Sequence, residues 1–202
     1  MKTTRIIFTL LFTVFGLPQM EAQSEDRFSI GPRVGINFAN VTNVDESESI
    51  TGVVVGVTST YSFTQNFGLT VDALYSVEGY KGPFENYHLR YIHIPGYFNY
   101  FFGKLGERVR PKIYAGLSPA FFTSGTLNEL DVNETYFNKF ILHATGGAGF
   151  NWRVANRIWM NADVRAFFGL DDIRTEEYAV GDPIQPRNVQ LSLGFAYGLA
   201  KI

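Results

Sequence analysis

Apolar and polar residues alternate along most of this chain. The longest such run is Tyr87 to Phe102, where Ile92, Ile94, Phe98, Tyr100 and Phe102 interleave with Tyr91, His93, Pro95, Tyr97 and Asn99. A period of two is the mark of a strand with two unlike faces. An ordinary strand has about five or six residues, and this run of about sixteen, aromatic at both ends, suits a bilayer better than a globular core.

The same pattern recurs seven more times. Arg27–Ala39 sets Phe28, Ile30, Val34, Ile36 and Phe38 against Ser29, Gly31, Arg33, Gly35 and Asn37. Ile50–Phe63, Phe67–Tyr80, Pro111–Ser124, Lys139–Trp152, Arg157–Leu170 and Asn188–Ile202 read in the same way. Eight strands are an even number. The links between them fall into two sets: Thr64–Asn66, Gly103–Arg110 and Val154–Asn156 form the short set, with Gly103–Arg110 long for a turn of that side, while Asn40–Ser49, Lys81–Asn86, Gly125–Asn138 and Asp171–Arg187 form the longer, polar set. Short turns on one side and long loops on the other belong to outer-membrane barrels. The reading is all-β, an eight-stranded antiparallel up-and-down transmembrane β-barrel with both termini in the periplasm.

The first residues stand apart. Lys2 and Arg5 precede an apolar run from Ile6 to Phe15, Pro18 breaks it, and Ala22 offers a small residue for cleavage. A spanning helix needs about 20 apolar residues, so residues 1–22 read as a secretory signal peptide and 23–202 as the barrel domain.

Composition agrees. Gly 20, Phe 19 and Tyr 11 accompany 46% hydrophobic residues that never gather into a helix-length block. Cys is absent, which suits a fold that closes on its own backbone rather than one stapled by disulfides. The net charge of −2 leaves no basic footprint for nucleic acid.

A soluble barrel or β-sandwich shares this alternation with its faces reversed. The polar face here is rich in Gly and small residues, as a crowded interior requires. The apolar face lacks charge over the middle of each strand. Both features favour the membrane barrel.

Several runs then resemble a known group. RVGIN at Arg33–Asn37, IHIP at Ile92–Pro95 and LSLGFAYGL at Leu191–Leu199, in this order behind a signal peptide, look like the PorT-like outer-membrane β-barrel family of Gram-negative bacteria. The chain ends in Lys201–Ile202 rather than a terminal Phe, a departure from the commonest outer-membrane ending. The resemblance implies fold and location more than activity. It implies outer-membrane lipid and, during insertion, the barrel-assembly machinery as partners. The founding member's part in protein secretion makes secretion-complex proteins further candidates.

Inward positions carry Arg33, Asp72, Glu78, Lys112, Asp163 and Arg165, three acids and three bases, with His93 and His143. Eight strands leave an interior just wide enough for side chains to fill. Charges there are costly unless paired. These eight residues are therefore expected to form a hydrogen-bonded polar network that plugs the lumen, with Arg33, Asp72, Asp163 and Arg165 at one height near the middle. An ion path is the sharper alternative, and equal numbers of both signs argue against selectivity by charge.

A lipid-modifying enzyme would need a nucleophile, a base and an orienting group. No serine stands with a histidine and an acid by any spacing rule, so no catalytic, cofactor or metal residue is expected. The long loops are acidic, with Asp45, Glu46 and Glu48, then Glu129, Asp131 and Glu134, then Asp171, Asp172, Glu176 and Glu177. Solvated loops kept soluble by charge account for them. The expected role is structural or binding, through those loops.

Overall fold

The computed structural model describes residues 27–44, 47–82, 86–128, 130–131, 136–179 and 181–200. The expected signal peptide, the terminal Lys201–Ile202 and the loop acids Asp45, Glu46, Glu129 and Glu134 lie outside the described residues.

Alternation yields strands throughout: β1 (Phe28–Val41), β2 (Glu48–Ser62), β3 (Phe67–Lys81), β4 (Asn86–His93), β5 (Gly96–Phe101), β6 (Val109–Leu127), β7 (Leu130–Asp131), β8 (Phe140–Ala155), β9 (Ile158–Gly169) and β10 (Pro186–Ala200). Every pairing is antiparallel. β1 pairs with β2, β2 with β3, β3 with both β4 and β5, and both of these with β6. The ring continues through β8, β9 and β10 and returns to β1. The short β7 folds back on the end of β6.

The long aromatic run is not one unbroken strand. It divides at Ile94–Pro95 because Pro95 has no N–H to give the ladder. The ladder is nevertheless carried across the gap. Ile94 N donates to Pro119 O at 2.9 Å, and Asp72 N donates to Pro95 O at 3.0 Å. β4 and β5 thus form one stave, and with β7 outside the ring the barrel has eight staves.

Closure depends on the seam between the first and last strands. There Val34 faces Leu193, Ile36 faces Leu191 and Phe38 faces Val189. Without the seam two strand edges would stand open, and in lipid each unmet backbone group costs several kcal/mol.

The barrel is inside out relative to a soluble one. Phe98 is 71% exposed, Val53 60% and Leu193 51%, whereas Arg33 and Asp72 are 1% exposed. Apolar side chains cover the outside and charges fill the inside, so the soluble reading would set a continuous apolar belt against water. Phe63, Phe67, Tyr100, Phe102, Phe195 and Tyr197 form an exposed aromatic girdle toward the short turns. Phe38, Phe121, Phe140 and Phe168 form another toward the long loops. Two such girdles flank the lipid zone of outer-membrane barrels.

The turn over residues 102–108 is long for its side of the barrel. Gly103 and Gly106 take positive φ of 87° and 90°, which glycine allows without strain. Across from it, Asn66 accepts from Phe101 N at 2.7 Å and its amide donates to Phe101 O at 2.9 Å. Arg110 donates to Gln65 O. The extra length therefore packs against the neighbouring turn.

Candidate functional site: the barrel interior

The inward positions of alternate strands meet in two polar layers under an apolar cap. In the first layer Arg33 lies opposite Gly56 on β2 and Gly194 on β10, and this leaves room for its guanidinium. Arg33 Nη1 donates to Asp163 Oδ2 at 2.6 Å and to Ser192 Oγ at 3.0 Å, and Nη2 donates to Thr58 Oγ1 at 3.2 Å. Its Nε lies 3.4 Å from Asp72 Oδ2.

Arg165 completes the bridge from the other side. Its Nη1 donates to Asp72 Oδ2 at 2.9 Å and to Tyr97 Oη at 2.8 Å, and its Nη2 lies 3.8 Å from Asp163 Oδ2. The same guanidinium stacks on Tyr97 and Tyr114, with Cζ 4.9 and 5.7 Å from the ring centroids. Lys112 Nζ sits 2.9 Å from Asp163 Oδ1. Three cations thus share two carboxylates, and the chain of contacts crosses the lumen. Gly149 on β8 is required for space, since a Cβ there would strike Asp163.

The second layer lies toward the long loops. His93 Nε2 is 2.9 Å from Glu78 Oε1. Ser76 Oγ donates to Glu78 Oε1 at 2.8 Å, and Asn37 Nδ2 donates to Ser76 Oγ at 2.7 Å. His93 Nδ1 and Ser118 Oγ are 3.1 Å apart. His143 Nδ1 lies 3.3 Å from Ser118 O, and the two imidazoles are 5.2 Å apart at their centroids. All eight expected lumen residues are buried. They fall into two groups, with Lys112 joining the four placed at one height and Glu78, His93 and His143 standing apart.

Sequence reasoning missed the partners that satisfy these charges: Thr58, Ser76, Tyr97, Tyr114, Ser118 and Ser192. Each occupies an inward position in the alternation, so its face was legible and its contacts were not. Ser118, His93 and Glu78 stand in a line that resembles a hydrolase relay. Ser118 has 0% exposure.

The cap closes the long-loop end. Phe137 and Ile173, from two different loops, pack with Tyr80, Leu89, Tyr91, Ala120 and Ile141. Asn138 clasps the loops together: its N donates to Ile173 O at 2.8 Å, and its side-chain amide donates to Asp172 O and Arg174 O, each at 2.7 Å. Beneath the cap a cavity of about 10 Å³ touches Glu78, Tyr91 and Asn188, room for about one water. Among the described residues no group of three or more His, Asp or Glu is placed to hold a metal ion.

The model of one family, described as outer membrane protein beta-barrel domain, matches residues 21–174. The chain belongs to this outer-membrane β-barrel family. Among solved structures it is similar to Neisserial surface protein A, with a TM-score of 0.58 and 17% identity over 85% of this chain and 97% of that one. It is also similar to the outer membrane protein OprG from Pseudomonas aeruginosa, with a TM-score of 0.56 and 16% identity over 86% and 96% of the two chains. At such identities the likeness is one of fold. No curated protein matches the chain.

Proposed function

We propose that this protein is a closed outer-membrane barrel that conducts no solute and works through its long loops, in a structural or binding role. The layer that joins Arg33, Asp163, Arg165, Asp72 and Lys112 across the lumen carries this reading. Its three cations and two carboxylates are tied to one another rather than aimed along an open path. The burial of Ser118 supports a non-enzymatic barrel. Short turns face the periplasm in barrels of this kind. Arg27 and Ala200 flank the seam at that end, which supports a periplasmic side for both ends of the described barrel. Purified protein in a planar bilayer is expected to give no steady single-channel conductance. Large, regular steps would overturn the plug.

A secretion accessory of PorT-like kind is the second reading. The runs that support it lie in β1, across the β4–β5 break and in β10, so two of the three form the closing seam. Co-purification with a translocation complex after mild solubilisation is the expected result under that reading, and a barrel recovered alone would count against it.

A further inference from the structure

The two ends of the barrel differ in charge. Among the described residues the short-turn end carries Arg27, Lys104, Arg108, Arg110, Arg153 and Arg157 against Glu107. At the other end, the loop between β9 and β10 carries Asp171, Asp172, Glu176, Glu177 and Asp182 against Arg174.

Three of the basic residues form one arc along the rim. Arg153 N donates to Arg108 O at 2.7 Å, and Gly198 N donates to Arg157 O at 2.8 Å, so the turns from β6 to β10 are stitched together. Arg153 lies over Trp159, 5.9 Å from Cζ to centroid, and Trp159 is buried on the lumen side. Arg110 is buried over Phe101. Arg108 and Arg157 differ from both. They lie 6.0 Å from Trp152 and 5.3 Å from Tyr197, rings on outward positions that continue the belt of Val109 and Phe195.

Arg157 also has backbone φ of 65° in a tight hairpin turn. Glycine or asparagine suits that position better than arginine. The chain thus sets a guanidinium at the rim against local backbone preference.

We propose that Arg108 and Arg157, backed by Trp152 and Tyr197, bind the phosphates of anionic glycerophospholipids in the leaflet at the short-turn end. The inference rests on the membrane placement and orientation given above. A guanidinium presents paired donors that match phosphate oxygens. Interfacial aromatic rings sit at headgroup depth. The surface is continuous with the apolar belt, so a lipid that packs its chains on Val109 brings its headgroup to Arg108, and one that packs on Phe195 brings its headgroup to Arg157. At the opposite rim Arg187 lies 5.8 Å from the exposed Phe168 ring, but it stands beside the acid-rich loop between β9 and β10, so the anionic-lipid site is assigned to the short-turn end.

The protein holds two tryptophans, both at this rim, and Trp152 reports directly on the lipid beside Arg108. The full chain is reconstituted in phosphatidylcholine vesicles that contain brominated phosphatidylglycerol or brominated phosphatidylcholine, and quenching gives the relative affinity. A basic group near an anionic surface strengthens association roughly five-fold, so the parent is expected to prefer phosphatidylglycerol by at least that factor. The double variant Arg108→Gln, Arg157→Gly is expected to lose the preference while it melts no lower than the parent, because glycine relaxes the turn. Arg108→Lys with Arg157→Lys should retain a preference. Equal affinity in the parent, or an unchanged preference in the Gln/Gly variant, overturns the proposal. So does stronger competition by lipid A than by phosphatidylglycerol, which would assign the rim to the other leaflet. Tryptophans that neither brominated lipid quenches would overturn the membrane reading itself.

Discussion

Arg33 and Asp163 are 130 residues apart in the chain, and their side chains meet at 2.6 Å inside the barrel. They sit on β1 and β9, with β10 between them, and Ser192 of β10 shares the same guanidinium. The contact spans the closing seam from within, so lumen electrostatics and barrel closure support each other.

Arg33→Met should therefore be costly. It fills much of the same volume but leaves Asp163 and Asp72 with fewer partners in a buried site. Removal of one member of a buried ion pair costs about 3–5 kcal/mol. Urea unfolding in lipid vesicles, followed by tryptophan fluorescence, is expected to show a loss of that size. An unchanged unfolding curve would mean that the layer contributes nothing to holding the staves together.

Leu193→Arg tests the outer face. Leu193 is 51% exposed and paired with Val34 and Ala162. A cation facing mid-bilayer costs about 2–4 kcal/mol. The variant should insert less efficiently and unfold at lower denaturant. One that inserts and melts like the parent would show that this face does not meet lipid.

Deletion from Phe195 onward should abolish insertion. Phe195 to Tyr197 pair with Met160, Trp159 and Ile158 of β9, and Tyr197 to Ala200 reach Ile30, Ser29 and Phe28 of β1. Their loss opens both neighbouring edges at the short-turn end. Heat-modifiable migration on a cold denaturing gel, the sign of a closed barrel, is expected to disappear. Its persistence would show that the last strand is dispensable for closure.

The loop clasp should be acid-sensitive. Arg174 N donates to Asp172 Oδ1 at 2.8 Å, and Arg174 Nη2 donates to Asp172 Oδ2 at 2.8 Å. Burial works against the Asp172 charge, but these bonds outweigh it and hold the carboxyl below its ordinary value of 3.8. A lowered carboxyl stabilises the folded loop fully above that ordinary value, and the effect fades as pH falls through the lowered one. Protection of the Arg174 amide, taken relative to its intrinsic exchange rate at each pH, is expected to be high at neutral pH and to fall below the ordinary aspartate range. In Asp172→Ala protection should be low at every pH; a protected amide there would leave the carboxylate no part in the clasp.

The sequence by itself determined which residues share a face, because alternation is local and one residue's position decides its neighbour's. Arg33, Asp72, Glu78, His93, Lys112, His143, Asp163 and Arg165 were legible as one face in this way, and so was the outward set from Val34 to Leu193. The eight alternating segments and the unequal links carried the barrel as well. The Gly-rich polar face and the uncharged apolar face favoured an outward apolar face, and the tertiary structure made that choice definite, since a soluble barrel has the same alternation. It decided the division of the long aromatic strand at Pro95, where the missing N–H falls at a ladder position. It also divided the lumen residues into two layers and brought Ser118 to His93 and Phe137 to Ile173. Those meetings depend on the stagger of strands around a closed ring, which is set by pairing between residues far apart in the chain. No local spacing records that stagger.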